Sequence, residues 1–247
     1  MPSTNQVFEI INKDFIKESI GTQKEKTVHQ FLKYYICNDP TFHEIKLGNH
    51  IVDIFIDNHV YEIQTQGFDK LRNKLDYLLN LYPVTIVYPI IVDKTIYKVD
   101  NNGVISNGRK SPKKISPLSI GFELYKIKDY LLNTNLTFKL VLLKGDEYQT
   151  TRLDRYKRER STRIDQYPKD IIEIIDIHNC HEFNKLIPDL GLFTAKDFSK
   201  VSKLSGRKLS SALLAFRHLG VIEITGKNGK AYVYKKKWLL NNHFFIF

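Results

Sequence analysis

The apolar positions of this chain first repeat at helical spacing. "QVFEIINKDFIKESIG" reads as a helix that stops at Gly21, a residue suited to a C-terminal cap. Thr22 can cap the next helix, "QKEKTVHQFLKYYIC", where Val28, Phe31, Leu32, Tyr35 and Ile36 make one apolar stripe. After the break "NDP" the pattern shortens into three strand-like runs, around Phe42–Leu47, Ile51–Ile56 and Val60–Gln66. "GFDKLRNKLDYLLNLYP" returns to helical spacing, with Leu71, Leu75, Leu78 and Leu79 on one face and Pro83 at its end. "VTIVYPIIV" is apolar on both faces, as a strand at the centre of a sheet would be.

The order helix, three strands, helix, strand predicts an antiparallel meander followed by a helical crossover. The sheet is then mixed and the class α/β. Further on, "KTIYKV" is one arm of a hairpin around "DNNG", and "GRKSPKKISP" is a polar loop. "IGFELYKIKDYLLN" reads as a helix and "LTFKLVLLKGDEYQT" as a strand. "RLDRYKRERSTRIDQYP" has little apolar periodicity and ends in proline, and "KDIIEIIDIHNC" is an apolar connection of undecided type. From "TAKDFSKVSKL" the pattern becomes helix, tight turn, helix and β-hairpin, with Phe198, Val201, Leu209, Leu213, Leu214 and Phe216 as its expected core. These changes divide the chain into an α/β domain over 1–165, a connecting segment over 166–187 and a small domain over 188–247.

The charge of +11 is unevenly spread. Residues 1–83 carry nine cations against eleven acids, whereas 94–114 carry six against one and 195–237 eleven against two. An acidic front with basic segments behind it suits a polyanion partner near a site that needs negative charge of its own. The two cysteines, Cys37 and Cys180, are far apart and in no ligand spacing, which fits a reducing, cytoplasmic setting. No secretory signal is expected in "MPSTNQVFEI", and "VTIVYPIIV" is too short to span a bilayer.

Candidate chemistry lies in "IVDIFIDNHVYEIQTQ". With Asp57 and Asn58 as turn residues, pairing runs 56 with 59, 55 with 60, 54 with 61 and 53 with 62. That sets Asp53 opposite Glu62, where like charges among apolar neighbours share a proton or hold a cation. Glu25 lies beside the apolar stripe of the second helix and is a third acid for the same site. The competing reading is an exposed hairpin edge with scattered polar residues.

Helix with Glu25, three strands, helix, strand, and Asp53 followed by "Glu62-Ile63-Gln64" together resemble the PD-(D/E)XK, or restriction-endonuclease-like, nuclease core. The resemblance covers residues 22–92 and implies that Asp53 and Glu62 bind Mg²⁺ (or Mn²⁺). It sets Gln64 in the place of the family's catalytic lysine and Glu25 as the helix acid. Val52 stands where the family has proline, and Gln64 removes a positive charge. "EIQT", "VYPI", "RKSPK" and "RYKRERSTR" are also similar to a group of poorly characterised bacterial proteins.

Residues 194 onward strongly resemble a winged helix-turn-helix, with Thr194 capping its first helix. That resemblance sets Arg207, Lys208, Ser211 and Arg217 toward DNA, and Lys227, Asn228 and Lys230 on the wing. Protein contact is the other known use of such a domain. Two further basic strips suit phosphate: Arg109, Lys110, Lys113 and Lys114, read as loop, and Arg152, Arg155, Arg158, Arg160 and Arg163, with Tyr156 and Ser161 beside them. Solvated charge is the alternative for both. His178, His181 and His218 are scattered and suit packing or surface roles.

The expectation is a cytoplasmic, Mg²⁺-dependent endonuclease acting on double-stranded DNA, with no membrane partner; a homodimer is compatible with it. A nuclease-like DNA-binding or regulatory protein without activity is the alternative, followed by an RNA nuclease.

Overall fold

The computed structural model describes residues 27–100, 103–153, 155–156 and 158–237. The expected first helix, Thr22 and Glu25 lie outside them. The elements are α1 (Thr27–Ile36), β1 (His43–Leu47), β2 (His50–Ile56), β3 (His59–Ile63), α2 (Arg72–Leu78), β4 (Val84–Val99), β5 (Arg109–Lys110), α3 (Ile120–Lys126), β6 (Leu136–Leu153) and β7 (Glu159–Ile177). They continue with β8 (Leu192–Thr194), α4 (Ala195–Ser202), α5 (Gly206–His218), β9 (Ile222–Asn228) and β10 (Ala231–Lys236). The class is α/β: a seven-stranded mixed sheet in the order β1-β2-β3-β4-β6-β7, with β5 on β4, and a three-stranded sheet β8-β10-β9.

One compact unit comprises the chain up to Thr65, Thr85–Ile115 and Lys139–Ile175. Its core forms where Val28, Phe31 and Leu32 of α1 meet Ile63, Val87, Ile91, Val141 and Leu143 of the sheet. Asp57 and Asn58 turn the β2–β3 hairpin with φ of 51° and 59°, the left-handed pair that a two-residue hairpin turn requires. The register is the expected one: Ile56 with His59, Phe55 with Val60, Ile54 with Tyr61.

Two stretches differ from the sequence reading. "VTIVYPIIV" and "KTIYKV" are a single strand, β4, with Pro89 inside it. Gln64 N–H donates to Val87 O at 2.9 Å, and β3 itself ends at Ile63. Pro89, two residues further along β4, faces the same side and has no N–H with which to extend that pairing, in keeping with the end of β3 at Ile63. Similarly, Glu159–Ile177 is one strand, so residues 166–177 continue the sheet instead of linking domains. β7 is an edge strand and so tolerates Pro168. Opposite it, a side chain at Gly145 would meet Tyr167 O at 2.5 Å, so glycine is what lets the two backbones close.

The other unit comprises Gln66–Val84, Ser116–Phe138 and the chain from Asp176 on, so the C-terminal elements share a unit with earlier segments of the chain. The reason is the packing of α3 on α5. A Cβ on Gly121 would lie 2.6 Å from the Phe216 ring and 2.8 Å from Ala212 Cβ, an approach open only to glycine. Phe193, Phe198, Phe216 and Tyr234 stack or meet edge-on around this core. Thr194 caps α4 in a full capping box: its hydroxyl accepts from Asp197 N, and the Asp197 carboxylate accepts from Thr194 N. The Asp197 carboxyl is drawn down to about 2, chiefly by the Thr194 hydroxyl. Glu123, buried in α3, accepts from the amides of Gly67 and Phe68 at 2.8 and 3.0 Å and from Lys126 at 2.9 Å, a structural role.

Candidate functional site

Strand β3 leaves β2 just where the candidate acids stand. Gln64 N–H points to β4, so Ile63 N–H, one residue earlier, points to the β2 side. There it meets a side chain: Asp53 Oδ2 accepts it at 2.7 Å. The same oxygen lies 3.2 Å from His29 Nε2 on α1. Asp53 is thus fixed from two directions while its side chain stays 21 % exposed. One register step beyond Ile54 and Tyr61 lie Asp53 and Glu62. Glu62 is 3 % exposed, and Gln64, on the same face of β3, is half-buried. A buried and a half-buried carboxylate are thereby held on neighbouring strands.

His29 is a residue the sequence reading missed. It lies four residues after Glu25 in the sequence, and that i,i+4 spacing was the available signal. The next position in the column, Lys33, is buried and binds Glu44 Oε1 at 2.9 Å. Glu44 adopts a left-handed φ of 53° within β1, an unfavourable backbone state for a residue with a Cβ. His29 and Lys33 on α1 thus meet Asp53 and Glu44 of the meander.

Among the described residues, no group of three or more His, Cys, Asp or Glu side chains is arranged to hold a metal ion. Mg²⁺ asks for less. It keeps several waters and takes one or two carboxylates together with substrate phosphate. The oxygen donors of Asp53, Glu62 and Gln64 are of the hard type it binds, so the donor chemistry fits.

The basic strips divide. Arg109 and Lys110 are not loop residues: they form β5, pairing with Ile96 and Thr95, and Lys110 Nζ lies 3.6 Å from Asp93. Lys113 and Lys114 are exposed coil. Arg155, Arg158, Arg160 and Arg163 are exposed, and the Arg152 side chain lies outside the described residues. In the C-terminal elements, Arg207, Lys208, Arg217, Lys227, Asn228 and Lys230 are exposed as expected. Ser211 is not: it is 5 % exposed, because α3 packs on the Ala212–Phe216 side of α5 and turns that position inward. The same rotation carries Leu214, an expected core residue, to 45 % exposure. Among the described residues, no helix is long and apolar enough to cross a membrane.

Residues 26–178 match the family described as "Domain of unknown function (DUF8091)". A Treponema pallidum (strain Nichols) protein, printed as "Uncharacterized protein", is 25 % identical over 225 residues, covering 89 % of this chain and 88 % of that protein. No solved structure matches.

Proposed function

The chain belongs to the DUF8091 family, and we propose that it is a divalent-cation-dependent endonuclease of double-stranded DNA, built on a restriction-endonuclease-like core. The observation that carries this reading is the fixed Asp53 carboxylate at the parting of β2 and β3, one register step beyond the Ile54–Tyr61 pair, with buried Glu62 at the matching step of β3. An Asp held by a backbone amide and an imidazole keeps its orientation without a further ordering cost, which is what a reacting centre needs.

Asp53 and Glu62 would hold the cation. When bound, a divalent cation lowers the pKa of a water and offsets charge on phosphate. Ile63 N–H and His29 keep Asp53 turned toward the site. The Gln64 carboxamide can donate to or accept from a water at the scissile phosphate, but it carries no charge and takes no proton.

The order α3, β8, α4, α5, β9, β10 supports a winged helix-turn-helix, with α3 added ahead of the expected α4–α5 pair and α5 as the helix entering the major groove. Arg207 and Lys208 at the start of α5 then contact phosphate or base edges, and Lys227 and Lys230 serve on the wing. Gln64 in the lysine position favours a second reading, a DNA-binding protein without cleavage.

Plasmid DNA and RNA incubated with the protein in Mg²⁺, Mn²⁺ or EDTA separate these readings. The proposal expects metal-dependent nicking of DNA that Asp53→Ala abolishes. Tight DNA binding with no cleavage in any metal ends the enzyme reading, and cleavage of RNA alone ends the DNA reading.

A further inference from the structure

Strands β6 and β7 outrun their apolar support. Leu140–Leu143 are buried, but from Lys144 the strand turns polar and continues to Leu153, while β7 starts at Glu159. At about 3.3 Å per residue each strand is roughly 60 Å long. Their far end is nonetheless braced on both faces. Tyr148 stacks on Tyr97 with ring centroids 5.2 Å apart and meets Tyr167 edge-on at 5.4 Å. On the alternate face Glu147 binds Lys94 at 2.6 Å and Gln166 at 2.7 Å, while Lys169 binds Asp146 at 2.7 Å on the Tyr148 face. Such a brace suits a projection that bears load.

At the tip Tyr156 is 61 % exposed, with the guanidinium carbons of Arg155 and Arg158 at 4.6 and 5.5 Å from its ring centroid. Arg160 and Arg163 follow, both exposed, on β7. Among the described residues of the tip, Glu159 is an acid, 71 % exposed and 4.0 Å from Lys98. Guanidinium on an aromatic face loses rotamer freedom before any ligand arrives, and its planar donors match phosphate in pairs. Because guanidinium groups lie over the ring, it is poorly placed to stack on an unpaired base. Contact with backbone phosphate is what remains, and a duplex presents it in the greatest charge density.

We propose that the β6–β7 hairpin tip is a phosphate-gripping arm for duplex DNA, with Arg155 and Arg158 as contact residues and Tyr156 as the residue that positions them. The inference rests on the DNA-binding reading above but not on cleavage, so it is tested in EDTA.

The experiment measures anisotropy of a labelled duplex against salt concentration, using full-length protein. Removing two phosphate contacts flattens the log K against log salt slope by about 1.8, which is roughly thirty-fold in affinity near 0.15 M salt. Arg155→Gln/Arg158→Gln should show both effects. Tyr156→Ala should weaken binding several-fold, and Tyr156→Phe, which keeps the ring, should bind like wild type. Arg207→Gln/Lys208→Gln serves as the comparison. If that variant loses affinity while the hairpin variant keeps wild-type affinity and slope, the arm is overturned and the α5 reading stands. If the hairpin variant alone loses affinity, the arm stands and the α5 assignment falls. Unchanged binding in both overturns both. Tighter binding to duplex RNA than to duplex DNA overturns DNA as the partner.

Discussion

Asp53 accepts the backbone N–H of Ile63 through Oδ2, at 2.7 Å, where a regular hairpin would use a carbonyl. The aspartate therefore carries two duties, one for the fold and one for the proposed chemistry, and two substitutions separate them. Asp53→Ala strands the amide of Ile63, a residue 2 % exposed, at a cost of about 1–3 kcal/mol. Asp53→Asn keeps an acceptor oxygen and should stay within about 1 kcal/mol of wild type, yet lose metal-dependent cleavage as fully as alanine does. Urea unfolding beside plasmid nicking checks both. An asparagine variant that still cuts removes Asp53 from the site.

The brace of the long hairpin has a pH signature. Burial pushes the Glu147 carboxyl up, but hydrogen bonds from Lys94, Gln149 and Gln166 and the Lys94 charge outweigh it, leaving the group below its ordinary 4.5. A lowered carboxyl stabilises the fold at pH values above 4.5, and that stability disappears as pH falls through the folded-state value. Glu147→Gln should therefore cost about 1–3 kcal/mol at pH 7, where it leaves the Lys94 ammonium without its carboxylate. The gap to wild type should narrow as the solution is acidified below 4.5. Denaturation at both pH values tests this, and a gap that does not change with pH would assign the effect to packing.

Gly121 sets how closely α3 approaches α5. Alanine would gain up to about 1 kcal/mol of helix propensity. Its Cβ would sit 2.6 Å from the Phe216 ring and 3.1 Å from Ala212 Cα, and overpacking of that kind costs about 1–3 kcal/mol. The cost should prevail, so Gly121→Ala lowers the melting temperature and weakens duplex binding through α5. Equal or greater stability of the variant would mean the helices can separate without loss.

Much of this was legible in the residues. The Asp57-Asn58 turn and the β2–β3 register followed from the spacing of apolar positions around two turn-forming residues. The length of β4 was not legible, because the polar pair Asp93-Lys94 breaks its apolar run, and that of β7 was hidden by Pro168, which an edge strand tolerates. The partnership of α3 with α5 was hidden for a different reason. Gly121 and Ala212 are small residues with little apolar signal, and their meaning lies in the close approach they permit. The same packing explains Ser211: helical spacing set it beside Arg207, and tertiary contact turned it inward. His29 was hidden because a lone histidine on a helix carries no pattern of its own, and its role appears only where α1 packs on the sheet and reaches Asp53.

Gln64 gives the sharpest test of the site, because its backbone and its side chain are separable. Its amide N–H is committed to Val87 O at 2.9 Å, a bond that any residue but proline retains. Substitution should therefore leave the β3–β4 junction intact and report on the side chain alone. Gln64→Ala should lower the rate of DNA cleavage by at least about tenfold, the scale on which a positioned polar group at a reacting centre acts, with the melting temperature nearly unchanged. Gln64→Lys restores a charge that can offset the phosphate, and it should retain more activity than alanine. That advantage over alanine should shrink as pH rises toward about 10.4, where the lysine loses its charge. If alanine, lysine and glutamine at this position all cut alike under Mg²⁺, residue 64 has no part in the reaction, and the resemblance of "EIQ" to a catalytic motif is a coincidence of strand spacing.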